Sequence, residues 1–384
     1  MRHLKMISIK EVKTKKEEKQ FINFPINLYK NVKAYAPPLS SDESNVFNPK
    51  KNLVHTYVKA IRFLAYKDHQ VVGRIAGLIN HRINYETNKK QVRFTRFDMI
   101  DDIEVTKALI NAVETWAKEM FGMNEIIGPI GFTDFDREGL LIEGFEHTNL
   151  IFTIYNYPYY KDHLEQLGFK KDVDWLEKRI TWPSELSSKI KRGAEIVRKR
   201  YGYRLYKPKS RADITSFIYE AFVVINDAYK KLYGFLSIPN NVVDYYVNQI
   251  VPIADLNYVW VVYDKEDKVV GFGFTIPSLS QASRKNKGKL FPFGWIRMLR
   301  ALKKYDTLDF YIIAVDPEHQ NKGVTALIME DAITMGIKKG VKYAETGPEL
   351  EQNIAIQSQW NSFEYIEHKR RRCFTKQIDG KEID

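Results

Sequence analysis

A single cysteine, Cys373, in 384 residues excludes an internal disulfide and any zinc site built on paired cysteines. No apolar run approaches the roughly 20 residues that span a bilayer as a helix. The amino-terminal stretch MRHLKMISIKEVKTKKEEKQ also lacks the apolar core of a signal peptide, so the expected location is cytoplasmic. The eight histidines are scattered, with neither the His-Glu-x-x-His spacing of a zinc helix nor a Ser-His-Asp order. No metal site is expected: His319 reads as a polar turn residue, and Asp134-Phe135-Asp136 resembles a metal loop only superficially. Acidic residues are in the minority, 48 against 60 Lys and Arg, for a formal charge of +12. That surplus suits an anionic ligand, an acidic partner or a nucleic acid, and does not choose among them.

What is present is ordinary for a globular chain: 44% apolar, 13% aromatic and 28% charged residues. This excludes a disordered protein, and the length suits two domains. In the first half, Met6 to Val12 alternates weakly as a strand and Glu17 to Val32 has helical spacing. Ala60 to Tyr66 and Val71 to Asn80 read as an antiparallel hairpin, followed by a strand at Val92 to Phe97. Glu104 to Met120 places Val105, Leu109, Val113 and Trp116 on one helical face, and Gly122 stops it. Glu125 to Ile130 and Leu150 to Tyr155 read as short strands, then Asn156 to Tyr160 opens a helix that contains Leu164 and Leu167 and is closed by Gly168-Phe169, and a strand runs from Asp174 to Thr181. Trp182-Pro183-Ser184 marks the expected boundary, giving domains 1–182 and 183–384.

The second half opens with a basic stretch, Lys189 to Arg211, whose simplest reading is a solvated helix face. The sharper reading is a platform for an anion, a phosphate tail or a membrane surface; interleaved tyrosines argue only weakly for nucleic acid. A long helix with Asp213 as N-cap, a second helix from Val242 to Ile250, a hairpin from Tyr258 to Ile276 and a short amphipathic helix from Gly294 to Lys303 follow. The two halves therefore share an order of elements, and each contains a strand, helix, strand crossover that predicts one parallel pair inside a mixed sheet.

The stretch that organises the second half is Asp306 to Leu327, DTLDFYIIAVDPEHQNKGVTAL. The apolar run Phe310 to Val315 suits a buried strand, Pro317 ends it, and after Gly323 the spacing becomes helical at Val324, Leu327, Ile328 and Ala332. A helix start behind a glycine is either only a tight corner or an anion site, since free N–H groups and the helix dipole both favour negative charge.

These residues resemble the GCN5-related N-acetyltransferase (GNAT) superfamily. Val315 to Leu327 looks like the family's fourth strand, pyrophosphate loop and helix, with Gln320 and Gly323 matching the motif and Thr325 departing from it. Asn353 and the segment Trp360 to Tyr365 look like its later helix and strand, with Trp360 where a tyrosine is usual. Tyr159-Tyr160 through Gly168-Phe169 looks like the closing helix and strand of a first, degenerate lobe. Asp98, Asp101 and Asp102 occupy the place of its loop and would repel a pyrophosphate.

The resemblance implies an α/β (α+β, mixed-sheet) fold of two acyl-coenzyme A N-acyltransferase-like lobes, each a mostly antiparallel mixed sheet flanked by helices. It implies acetyl-coenzyme A or another acyl-coenzyme A as co-substrate, with the cofactor loop in the second lobe only. Ile313 and Val315 would pair with the pantetheine. Gln320, Asn321, Lys322, Gly323, Val324 and Thr325 would meet the phosphates, with Asn353 as a further cofactor residue. The implied reaction is direct transfer, in a ternary complex, to an amine of a small molecule or peptide. Glu345 is the first candidate base and Glu349 the second. Tyr229, with Tyr233 behind it, is a candidate acid, since an indole at Trp360 cannot protonate a thiolate. An inactive acyl-coenzyme A or anion-binding protein, or a transferase using aminoacyl donors, fits the same residues.

Overall fold

In the computed structural model, which describes residues 7–378, local sequence chemistry sets most element boundaries. Strand β1 (Ser8–Glu11) precedes helix α1 (Lys15–Leu28), which starts at a reciprocal capping box between Thr14 and Glu17. Met6, where the first strand was expected to begin, lies outside the described residues. After α2 (Ser40–Val46) come the hairpin β2 (Val58–Lys67) and β3 (Gln70–Asn80), then α3 (His81–Thr87) and β4 (Gln91–Met99). Helix α4 (Ile103–Phe121) buries Val105, Leu109 and Val113, and Gly122 ends it at φ +63°. β5 (Glu125–Gly128), β6 (Leu140–Glu143), α5 (Tyr159–Gln166) and β7 (Lys170–Thr181) complete the first half.

The second half runs through α6 (Ser188–Tyr201), β8 (Arg204–Tyr206), α7 (Arg211–Tyr229), α8 (Asn240–Ile250), β9 (Val259–Tyr263), β10 (Val269–Pro277) and α9 (Ser280–Asn286). Then follow α10 (Gly294–Lys303), β11 (Thr307–Val315), α11 (Val324–Lys339), β12 (Tyr343–Glu345), β13 (Glu349–Leu350), α12 (Ile354–Ser358) and β14 (Tyr365–Gln377). Two local expectations change. The cap of α7 is Ser210, with Asp213 closing a capping box as its third residue. Leu150 to Tyr155 is a turn, because the buried Asn149 amide donates to Leu150 O and Ala36 O, which takes carbonyls a strand neighbour would need.

The chain divides into two compact units that are discontinuous in sequence. The first holds the residues up to Leu176, Ser280–Trp295 and those from His368 on; the second holds Glu177–Leu279 and Ile296–Glu367. The first crossing, Leu176 to Glu177, falls a few residues before the expected boundary, and the other crossings have no counterpart in the sequence reading.

Within the first unit the strand order is β1-β2-β3-β4-β5-β14, with β4 and β5 parallel and the other pairings antiparallel. Within the second it is β8-β9-β10-β11-β12-β7, with only β11 and β12 parallel. Each sheet is thus mixed and mostly antiparallel. Each is also completed by a strand from the other half of the sequence: Phe374 to Gln377 pair with β5, and Arg179 to Thr181 pair with β12.

The first core packs α4 onto the sheet around Phe94, Leu109, Val113, Ile126, Leu164 and Phe374. The second packs α11 and α6 around Trp260, Val324, Leu327, Ile328 and Trp360. Gly271 permits the close approach of α11 to β10, since a Cβ there would lie 2.6 Å from Val324 Cγ1. The strand exchange makes a prediction. Phe374→Ala, near the end of the chain, is expected to destabilise the first unit by about 3–5 kcal/mol, read as a lowered denaturant midpoint for its transition.

Candidate functional site

Strand β11 is where the second sheet opens. It pairs with β12 only at Thr307, Leu308 and Asp309, opposite Tyr343, Ala344 and Glu345. Its other edge stays on β10 as far as Val315, with a register shift between Phe274 and Thr275 that leaves Tyr311 as the extra residue. From Phe310 onward, β11 therefore presents one edge to a gap. Ile312 and Ala314 are buried, while Tyr311, Ile313 and Val315 are partly exposed. The peptide groups of that edge are the kind an extended ligand can pair with.

The carbonyls of both residues expected to meet a pantetheine are held by side chains. Tyr229 donates its hydroxyl to Ile313 O at 2.9 Å, and Gln320 Nε2 donates to Val315 O at 3.2 Å. Tyr229 thereby reaches the open strand from the last turn of α7.

At the end of β11, Asp316 caps a single helical turn, Pro317–His319, through Glu318 N–H. Asn321 then adopts φ +61° and Gly323 φ +80°. Gly323 is the N-cap of α11, and no side chain caps that helix. Ala326 N–H turns back onto Gly323 O at 2.9 Å, and with no side-chain cap the N–H groups of Val324 and Thr325 are left at the start of α11, a geometry that suits an anion. A Cβ on Gly323 would lie 2.4 Å from Val197 Cγ2. Val197 belongs to α6, so the basic stretch backs the loop: Ala194 and Val197 are buried, and Arg198 pairs with Glu330 of α11. Gln320 and Asn321 are exposed, Lys322 and Thr325 half-buried, and Val324 buried. Asp316, Glu318 and His319 bring ligand atoms within 4.8 Å of one another. Asp316 is already a cap, and His319 Nδ1 lies 2.6 Å from the Tyr203 hydroxyl.

Among the candidate bases the geometry draws a distinction. Glu345 is in register with the buried Asp309 at the last paired step, and Arg179 Nε lies 3.7 Å from its carboxylate. Glu349 is half-buried, its side chain 9% exposed; it accepts the Trp360 indole N–H at 2.8 Å and has Lys178 Nζ at 3.7 Å. Burial pushes its carboxyl up to about 7, with the Trp360 hydrogen bond and Lys178 opposing only part of that rise. The Trp360 ring packs 5.2 Å from the ring of Phe310, the first residue beyond the opening. Glu349 is therefore one aromatic layer from the gap.

Asn353 does not join the loop: its side chain accepts Ile356 N–H as the cap of α12, and among the described residues no bond ties it to Gln320–Thr325. Sequence reasoning missed Asp309, Lys178 and Gln357, which accepts a hydrogen bond from Lys178 Nζ. None of the three sits in a motif; only the pairing register and the burial of Lys178 single them out.

The first unit opens in the same way and closes again on itself. β4 leaves β5 after Arg93, but Ile130 N–H donates to Phe94 O, so the chain following β5 turns back onto β4. Helix α4 is capped by Asp102, and Asp98 is held by Arg74 and the Tyr29 hydroxyl. Asp136 pairs with the buried Arg96. The space that remains beside Tyr29, Arg74, Arg96 and Asp98 is about 40 Å³, room for little beyond water.

No family model matches the chain. It is 28% identical to Protein YghO of Escherichia coli (strain K12) over 377 residues, 95% of this chain and 94% of that one. It is 24% identical to a bacterial ceramide synthase of Caulobacter vibrioides over 304 residues, 77% of each. A tandem GNAT protein from the clavulanic acid biosynthesis pathway matches its structure with a TM-score of 0.58 at 10% identity, covering 98% of this chain and all of that one (100%). The chain has the tandem GNAT fold. A GCN5-related glucosamine N-acetyltransferase region of a fungal multi-domain GH3 β-N-acetylglucosaminidase agrees, with a TM-score of 0.57 at 12% identity over 98% of this chain and 38% of that one. In the terms of the tandem GNAT fold, the opening between β11 and β12 and the turn at Gly323 are the second lobe's strand fork and loop. The self-filled opening at Phe94 is their counterpart in the first lobe.

Proposed function

We propose that the chain is an acyl-coenzyme A dependent N-acyltransferase whose reaction takes place in the second unit. The observation that carries this reading is the fork: pairing of β11 with β12 stops at Asp309, and the open strand leads through the turn Pro317–His319 to the start of α11, which no side chain caps. A thioester arm needs peptide groups it can pair with along its length, which the second lone pair of the Ile313 and Val315 carbonyls still offers beside the Tyr229 and Gln320 bonds, and a pyrophosphate needs N–H donors at its end. We assign Ile313 and Val315 to the pantetheine arm, and Gln320, Asn321, Lys322, Gly323, Val324 and Thr325 to the phosphates. Asn353 we assign to its cap.

In the reaction an amine attacks the thioester carbonyl carbon, a C–N bond forms as the C–S bond breaks, and the amine proton passes to a carboxylate. A carboxyl near 7 is half ionised at neutral pH and is matched to that task, and from behind the Trp360–Phe310 layer it would take the proton through one water, so we place Glu349 before Glu345, which already faces Arg179. Tyr229 is assigned to return a proton to the departing thiolate. Tyr229→Phe is then expected to lower kcat about tenfold or more while acyl-coenzyme A affinity stays within about threefold, since the lost hydroxyl bond is a single neutral one. Stopped-turnover assays beside calorimetry separate the two.

Acetyl transfer to an amine of a small molecule or peptide is the simplest form of the reading. The relationship to a ceramide synthase favours a second form, because a ceramide is the fatty amide of a long-chain amino alcohol. Calorimetry with acetyl- and palmitoyl-coenzyme A, followed by thiol release with amino acids, polyamines, peptides and a sphingoid base, tests both. Absence of binding to either thioester at millimolar concentration would overturn the proposal. Binding without thiol release would leave a sensor of acyl-coenzyme A, and turnover only with aminoacyl donors would reassign the donor.

A further inference from the structure

We infer that the stretch from Leu290 to Lys304 seats the protein on an anionic lipid surface. Phe291 and Phe293 are 79% and 74% exposed, and Trp295 and Leu299, one helical turn apart on α10, are 44% and 49% exposed. Other exposed large apolar side chains among the described residues stand singly, such as Tyr85 and Met120, or in pairs, such as Tyr219 with Val223. Met298, on the flank of the same apolar arc, is buried, so α10 is fixed with Trp295 and Leu299 outward.

The surrounding charge is of one sign. From Ser280 to Tyr305 there are eight Lys and Arg and no Asp or Glu. Arg297, Arg300, Lys303 and Lys304 are all exposed, in or directly after α10. A short helix with aromatic and aliphatic side chains on one side and Lys and Arg beside them is the pattern that lies in the interface of an anionic bilayer. Duplex nucleic acid would use the charge but offers no apolar phase for Phe291, Phe293 and Leu299; a single strand could stack on the two phenylalanines but gives Leu299 no partner.

Several polar groups of the tip are paired internally. Trp295 donates its backbone N–H to Leu290 O at 2.8 Å and its indole N–H to Pro292 O at 3.1 Å, while Asn286 Nδ2 donates to Gly294 O at 2.8 Å. Entering the headgroup region therefore strips water from few unpaired groups. No helix among the described residues is long and apolar enough to cross a membrane, so the contact is peripheral. This inference does not depend on acyl transfer, since none of its residues belongs to the β11 fork or the loop after it.

Flotation of the full chain with phosphatidylcholine vesicles, with and without phosphatidylglycerol, tests it. The expected result is capture by the anionic vesicles alone, weakened by added salt. The Phe291→Ser, Phe293→Ser, Trp295→Ser triple variant and the Arg297→Glu, Arg300→Glu double variant should each lose about tenfold or more of that binding. A Phe291→Ser, Phe293→Ser double variant, whose side chains are 79% and 74% exposed, should lose binding while its thermal midpoint stays near that of the parent. No capture of the parent at low salt, equal capture of the triple variant, or binding to duplex DNA without binding to vesicles would overturn the inference.

Discussion

Gly323→Asp is expected to lower acyl-coenzyme A affinity by at least about a hundredfold, through three effects that act on the same few atoms. Gly323 sits at φ +80°, where a side chain costs about 1–2 kcal/mol. Its Cβ would fall 2.4 Å from Val197 Cγ2, so either α6 or the start of α11 must shift, and the N–H groups assigned to the pyrophosphate shift with it. The carboxylate would then stand where the phosphates belong, and like charges at that distance repel. Two companions divide the effects. Gly323→Ala keeps the strain and the clash without the charge, and combining it with Val197→Ala removes the clash as well, so affinity should recover in steps. Asn321→Gly, at φ +61° in an exposed position, relieves backbone strain and should leave affinity within about threefold. Titration calorimetry with acetyl-coenzyme A reads all four, and a Gly323→Asp protein that binds like the parent would remove the loop from the site.

How much of this was legible in the sequence depended on whether the cause was local. Helix α10 was expected over Gly294 to Lys303 and has those bounds, because its apolar spacing and its glycine start are both contained in ten residues. Hairpin β2–β3 and helix α4 followed from alternation and a 3.6-residue period for the same reason. The strand exchange was not legible: Tyr365 to Gln377 reads as a strand whichever edge it joins, and only the pairing of Phe374 with Gly128 shows that the chain's end completes the first sheet. The fork was half legible. The run Phe310 to Val315 announced a strand, but that β12 leaves it after Asp309 is a matter of register between strands more than thirty residues apart. Leu150 to Tyr155 was misread because a single buried amide, Asn149, outweighed the β propensity of the residues after it. The raised carboxyl of Glu349 was not legible either, because its environment joins Trp360, eleven residues on, to Lys178 from the other half of the sequence.

Glu349→Gln is the substitution that separates chemistry from stability, because the two are expected to move in opposite directions. With the carboxyl at about 7, kcat/KM of the parent should climb as pH rises through about 7, where the base becomes ionised, and then level off. The glutamine variant should lose that limb and fall in kcat by about 10²–10⁴-fold, while its amide oxygen can still accept the Trp360 N–H. Stability runs the other way. The ordinary value for the carboxyl is 4.5 and the folded value is raised, so the folded state holds a proton that the unfolded chain gives up. That contribution is fully present below about 4.5 and is lost as pH rises through about 7. Above that, the parent carries an ionised carboxylate in a buried place, and glutamine, which imitates the protonated form, does not. Near pH 8 the variant should therefore be more stable by on the order of 2–3 kcal/mol, and at pH 4 the two should be alike. Denaturant titrations at both pH values, set beside the pH–rate profile, distinguish the roles: a stability difference with an unchanged pH–rate profile makes Glu349 a buried structural carboxyl and returns the base to Glu345.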